Sequence, residues 1–220
     1  MKHIVLHVTF LPVMIFAQAD GPNVTTKTTE LGGGAIQLTI QNNSDRAMTA
    51  YAYSFILASG RKEIRGERFY DSALFFGQQA IAPHRTAVEQ EGGPNITNVQ
   101  FTFRAAVFSD GSSFGDAAWA QRIIVRRQLA AQAIDRLQSA VAQSGTDTPA
   151  LIVQLNVDLS TRMATTSDRD QQEIERRFTG IIIENLDQLS ASGKDYAATR
   201  QATLAAMQRA KDRLAAAFDH

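Results

Sequence analysis

The stretch that decides the fold is Asn98-Val99-Gln100-Phe101-Thr102-Phe103-Arg104-Ala105-Ala106-Val107-Phe108, then Ser109-Asp110-Gly111-Ser112-Ser113-Phe114-Gly115-Asp116, then Ala117-Ala118-Trp119. In its first part Val99, Phe101, Phe103, Ala105 and Val107 alternate with Gln100, Thr102, Arg104 and Ala106, the period of a strand with one buried face. After Asp116 the spacing changes: Trp119, Ile123, Ala130, Ile134, Leu137 and Val141 lie on one helical stripe. The hydrophobic period thus moves from two to 3.6 across residues 110–116.

Composition changes at the same place. Residues 20–115 hold 11 Gly and 11 aromatics, whereas 116–220 hold 3 Gly, 4 aromatics and 20 Ala. The first half therefore reads as sheet and the second as helix, an α+β chain with domains at 20–115 and 116–220. Working back from the deciding stretch, strands are expected at Val24–Leu31, Ile36–Ile40, Tyr51–Leu57, Ile64–Tyr70, Gln79–Gln90 and Asn98–Phe108. In the third of these, Tyr51, Tyr53, Phe55 and Leu57 share one face and Ala50, Ala52, Ser54 and Ile56 the other. Six or seven antiparallel strands on this scale predict an immunoglobulin-like β-sandwich. Pro83 marks an edge or a strand start, because it has no N–H to donate.

Working forward, about four helices are expected. Asp147-Thr148-Pro149 pairs a cap with Pro at the first helical position, opening a helix that carries Leu151, Leu155, Leu159 and Met163. Ser167 with Asp170 has the spacing of a capping box, before a helix with Ile174, Phe178, Ile181, Ile182 and Leu189. That helix ends at Ser192-Gly193, and a last one starts near Asp195 with Tyr196, Leu204, Met207, Leu214 and Phe218 inward. Arg169/Glu173 and Glu173/Arg177 are i,i+4 pairs that read as a solvated face.

Residues 1–19 read as a secretory signal peptide. Lys2 precedes an uncharged run from Ile4 to Phe16, and Ala17-Gln18-Ala19 puts small residues, Ala17 and Ala19, at both positions a signal peptidase inspects before a cleavage point at Asp20. The run is too short to span a bilayer, which takes about 20 apolar residues. Export is therefore expected, to the periplasm or outside the cell, with no transmembrane segment after cleavage. The chain of 220 residues has no Cys, which closes disulfide, thiolate and zinc–thiolate chemistry and points to a bacterial envelope setting. With 22 basic and 22 acidic residues there is no net field to gather phosphates, and Arg126-Arg127 and Arg176-Arg177 are isolated pairs, so nucleic acid is not expected as a partner.

Three groups of residues are candidates for chemistry. Counted as a calcium loop, Asp110, Ser112 and Asp116 supply oxygen at positions one, three and seven, with Gly115 at the sixth. The ninth and twelfth positions are Ala118 and Gln121, where such a loop needs oxygen and a bidentate Glu. A turn at Asp110-Gly111 and a helix cap by Ser113 or Asp116 explain the same residues. His84 is the one histidine between the signal and His220, and no G-x-S-x-G or H-E-x-x-H motif accompanies it. Glu63, Glu67, Asp71 and the pair Glu89/Glu91 are acidic residues of the sheet half that would suit acid–base work only if the fold brought two together. Gly32-Gly33-Gly34 lacks the Lys-Ser/Thr ending of a phosphate loop and reads as a turn.

The run Arg104–Asp116, following the aromatic strand Tyr51–Leu57, resembles the end of a small immunoglobulin-like β-sandwich found in uncharacterised exported bacterial proteins. The resemblance covers residues 35–120 and implies an envelope-associated sandwich, with no activity, cofactor or ligand attached. The expectation is an exported binding or scaffolding protein without catalytic residues, working on a protein partner of the envelope and open to self-association through its Ala-rich helices. The competing expectation is a carboxylate-dependent hydrolase acting on carbohydrate or another envelope substrate.

Overall fold

A computed structural model describes residues 23–74, 79–145, 147–193 and 195–217. The expected signal segment lies outside the described residues, as do Phe75, Phe76, Phe218 and His220. The chain is α+β, with two antiparallel sheets followed by four helices. β1 (Val24–Gly32), β2 (Ala35–Asn42) and β5 (Thr86–Gly92) form one sheet in the order β1-β2-β5. β3 (Met48–Ser59), β4 (Lys62–Asp71), β6 (Asn98–Phe108) and β7 (Ser113–Gly115) form the other, in the order β4-β3-β6-β7. Leu38 and Ile40 of the first sheet and Tyr51, Tyr53, Phe55, Ala106 and Phe108 of the second pack into one core between them.

Three strand expectations are corrected. The extended run predicted over Gln79–Gln90 shrinks to β5, with a single bridge from Ile81 to Met48 before it. Pro83 offers no N–H and His84 adopts a left-handed backbone (φ 58), so the chain turns instead of pairing. The simple alternation in β6 also fails. Ala52 pairs with Ala105 but Tyr53 pairs with Phe103, leaving Arg104 as a bulge. The extra residue swaps faces: Phe101 and Phe103 lie on the sandwich core, while Ala105 and Val107 lie on the opposite side. Finally, the 110–116 stretch is more than a turn, because Ser113–Gly115 folds back as β7 against Ala105–Val107.

The helices are α1 (Ala117–Gln143), α2 (Thr148–Thr165), α3 (Arg169–Ala191) and α4 (Tyr196–Ala216). Each begins at an Asp whose carboxylate accepts from an amide of the first turn: Asp116 from Ala118 and Trp119, Asp147 from Ala150, Asp168 from Gln171 and Asp195 from Ala198. The capping box expected at Ser167 and Asp170 is displaced by one residue, since Asp168 is the cap and Asp170 is free for another task. At 27 residues, α1 is about 40 Å long and serves two cores. Ala120 and Ile123 pack on Ala50, Ala52, Ala105 and Val107, the small-residue face of the four-stranded sheet. Ala130, Ala133, Ile134, Leu137 and Val141 join Leu151, Leu155, Ile174, Phe178, Leu186, Met207 and Leu214 in the bundle. The bundle is therefore joined to the sheet through α1.

Candidate functional site

Asp110, Ser112 and Asp116 bond to groups of the chain itself. Arg46, from the β2–β3 connection, donates from Nη1 to Asp110 Oδ2 and to Ser112 Oγ, both at 2.7 Å. These bonds hold the Asp110 carboxyl well below the usual carboxylate range, the Arg46 contact first and Ser112 second. Arg46 thus takes up Asp110 Oδ2 and Ser112 Oγ, and Asp116 spends its Oδ1 on the cap of α1. Among the described residues no group of three or more His, Asp or Glu converges on a metal position. His84 is exposed, with Nε2 3.1 Å from Asp45 Oδ1.

The acidic residues of the sheet part company according to strand face. On β4 the odd-numbered positions Glu67, Phe69 and Asp71 face α1, and Arg122 Nη1 lies 2.8 Å from Glu67. Arg127 reaches Asp71 with two nitrogens, at 2.8 and 3.2 Å, and both side chains are 2% exposed. Burial holds the Asp71 carboxyl above its ordinary value, against the pull of Arg127 and of the Ala73 and Leu74 amides. Glu63 stays on the exposed part of β4, 3.3 Å from Arg65.

Glu89 and Glu91 behave differently. They sit two apart on β5, roughly 7 Å along the strand, and both point between the sheets. The Tyr51 hydroxyl donates to Glu89; the Tyr53 hydroxyl donates to Glu91 at 3.2 Å, and Arg68 Nε lies 2.8 Å from the same carboxylate. Tyr70 stacks on Tyr51 with centroids 4.7 Å apart. Burial first, and the neighbouring glutamates second, push the Tyr51 and Tyr53 phenols well above their ordinary pKa. Burial also raises Tyr70. The fold does bring one carboxylate pair together, and it fills that pair with phenol and guanidinium donors.

The most heavily built constellation was not foreseen. Arg126 and Arg127 read as isolated basic residues in the sequence but are among the most buried large side chains, at 1% and 2% exposure. Arg126 donates to Asp170 at 2.5 Å and to Glu173 at 2.9 Å, with its guanidinium 4.4 Å from the Phe69 ring centroid. Arg122 adds a two-nitrogen contact to Asp170 and lies over Phe69 and Trp119. Burial raises the Asp170 carboxyl, but Arg122 and Arg126 outweigh it and hold the group below its ordinary value. Glu173, expected to pair within its own helix on a solvated face, is thus tied across to α1. One signal was present: positions 126 and 127 fall between Ile123 and Ala130 on the apolar stripe, where a charge must find partners.

Between α1, α3 and α4 lies a groove of about 340 Å³, floored by Ile134, Leu137, Phe178 and Met207. Asn185 borders it, and its Oδ1 is buried without a hydrogen-bond partner.

No family model and no curated protein matches the chain. Among solved structures, the X-ray structure of a structural-genomics target is similar at TM-score 0.27, with 15% identity over 42% of this chain and 76% of that chain. A hypothetical protein of Peptoclostridium difficile 630 is similar at TM-score 0.28, with 10% identity over 47% of this chain and 89% of that one. Similarity at that level transfers neither fold nor function.

What the arrangement can do follows from its partners. Glu67, Asp71, Glu91, Asp110, Asp170 and Glu173 each face an arginine, and Glu89 accepts from Tyr51. Groups held this way join strands to helices and sheet to sheet. No helix among the described residues is long and apolar enough to cross a membrane.

Proposed function

We propose that this chain is an exported binding or scaffolding protein of the bacterial cell envelope, acting by contact with a protein partner and without turnover. The observation that carries the reading is the fate of the carboxylates: those suited to acid–base work are bonded to Arg or Tyr in contacts that hold the fold together. Two further features support it. The strand order β1-β2-β5 facing β4-β3-β6-β7 fits an immunoglobulin-like sandwich, a scaffold that meets partners through its edges and loops. Residues 1–19 carry the charge, apolar core and small-residue ending of a secretory signal.

The competing reading is a carboxylate-dependent hydrolase, and Glu89 with Glu91 is the observation in its favour. Tyr51, Tyr53 and Arg68 weigh against it, because a general acid or base must be free to exchange its proton with substrate. The test is a panel of glycan and ester substrates offered to the full chain and to Glu89→Gln, together with capture of envelope proteins by the native and heat-unfolded chain. A partner retained only by the native chain, with a silent panel, is expected. Hydrolysis abolished by Glu89→Gln overturns the contact reading.

A further inference from the structure

We infer that the free edge of β6, over Asn98–Phe103, is a docking site for an extended strand of another protein. The inference rests on the contact reading and gives it a surface. β3 pairs with β6 from Asn98 to Phe108, but β7 covers the opposite edge only at Ala105–Val107. Among the described residues nothing pairs with Asn98–Phe103 on that side. β7 cannot be prolonged to cover them. Gly115 holds φ 95, and a Cβ there would fall 2.3 Å from the Arg104 carbonyl oxygen. The Asp116 amide then donates to that same carbonyl, and the chain leaves the sheet as α1. An edge of roughly 20 Å therefore keeps its backbone donors and acceptors unpaired.

Sequence sets this edge apart from the three long outer strands, although the three-residue β7 is uncharged as well. β4 carries Lys62, Glu63, Arg65, Glu67 and Arg68, β5 carries Glu89 and Glu91, and β1 carries Lys27 and Glu30. Charges of this kind discourage a strand from pairing with a neighbour. Asn98-Val99-Gln100-Phe101-Thr102-Phe103 has no charge and no Pro.

The surroundings define the occupant. Phe101 and Phe103 are only half-buried against the sandwich core, and the outer-face residues Gln100 and Thr102 are exposed. An added strand would set apolar side chains beside the two Phe at alternate positions and uncharged polar ones beside Gln100 and Thr102. A charged strand would lose water there with no opposite charge to meet. Val24 of β1 shares the core cluster with Phe101 and Phe103, and β1 packs across β6 from the facing sheet. Two copies joined edge to edge at β6 would bring both β1 strands to the junction, whereas a single inserted strand lies beneath one β1. The occupant is therefore one uncharged segment of five or six residues from a partner, paired by main-chain hydrogen bonds.

Backbone amide exchange of the full chain tests this, with and without a synthetic Thr-Val-Thr-Val-Thr-Val peptide carrying lysines at both ends for solubility. The amides of 98–103 that point away from β3 should exchange fast alone and at least tenfold slower with peptide. The same peptide with Pro at two central positions should leave them fast. Slow exchange without peptide would mean the chain covers its own edge, and would overturn the inference. So would unchanged rates with the Val-Thr peptide, or sedimentation showing a dimer that Phe101→Lys dissociates. A hydrolysis panel silenced by Glu89→Gln would defeat the contact reading on its own; absent protection with a silent panel would defeat only the edge.

Discussion

Asp71 and Arg127 form the contact on which most depends, because both are buried and one comes from the last position of β4 while the other comes from α1. Taking either partner away leaves an unpaired charge or donor set out of water, at a cost of about 3–5 kcal/mol. Removing both is different, since a buried pair often gains little over a well-packed apolar one. Asp71→Leu and Arg127→Met should each lower the urea midpoint strongly, and the double variant Asp71→Leu/Arg127→Met should recover a large part of the loss. A double variant as unstable as the sum of the singles would show that the two residues do not act as a pair. Gly66 is the second decisive residue. It lies opposite Phe55 on β3, whose ring fills the space where a side chain would be, 2.1 Å from an added Cβ. Gly66→Ala should cost about 1–3 kcal/mol through displacement of that ring, read by thermal unfolding. A neutral or stabilising result would mean that Phe55 can swing away at no cost.

At the scale of elements, the inner face of β3 makes a prediction about pH. Tyr51 and Tyr53 are held neutral by burial and by Glu89 and Glu91, so their folded pKa lies above that of the unfolded chain. A raised pKa of this kind contributes stability that is complete below the unfolded value, near 10, and is lost as pH climbs past it. Stability should therefore fall above pH 10 by up to about 1.4 kcal/mol per pH unit for each phenol still protonated in the fold. Tyr51→Phe should make the alkaline slope shallower, whatever it does to stability at pH 7, and urea titrations at pH 9–11 measure both. An unchanged slope would remove Tyr51 from the account. Much at this scale was legible beforehand: the change of period after residue 110, the four helices, the cap at Asp147 and a helix start near Asp195 follow from local rules, which allow either Ser113 or Asp116 as the cap of α1. The Arg104 bulge was not, because alternation through Phe103 and Ala105 looks continuous until β3 fixes the register. Nor was the cap at Asp168, because the three-residue spacing to Asp170 points to Ser167. The buried arginines escaped for a similar reason, as their partners Asp71 and Asp170 are 56 and 44 residues distant in sequence.

For the whole molecule, the question is whether sheet and helices are independent. Composition divides them cleanly at Gly115/Asp116, yet the folded contacts cross that line. Ala50, Ala52, Ala105 and Val107 are buried under Ala120 and Ile123, and Phe69 stacks on Trp119 at 5.5 Å. Glu67 and Asp71 also lose their arginines if the helices are removed. A chain ending at Gly115 would bare an apolar sheet face and leave a carboxylate, Asp71, in a site built for a pair. The inter-sheet core of Leu38, Ile40, Tyr51, Tyr53 and Phe108 would remain intact, so the fragment should keep β-rich circular dichroism. It should nevertheless unfold at markedly lower urea than the full chain, and bind the dye ANS through the bared face. Extending the fragment to Gln143, so that α1 is restored with Arg122 and Arg127, should recover part of the midpoint and suppress dye binding on the sheet. Equal midpoints for the two fragments would show that α1 lies on the sheet without stabilising it, and that the compositional boundary is also the energetic one.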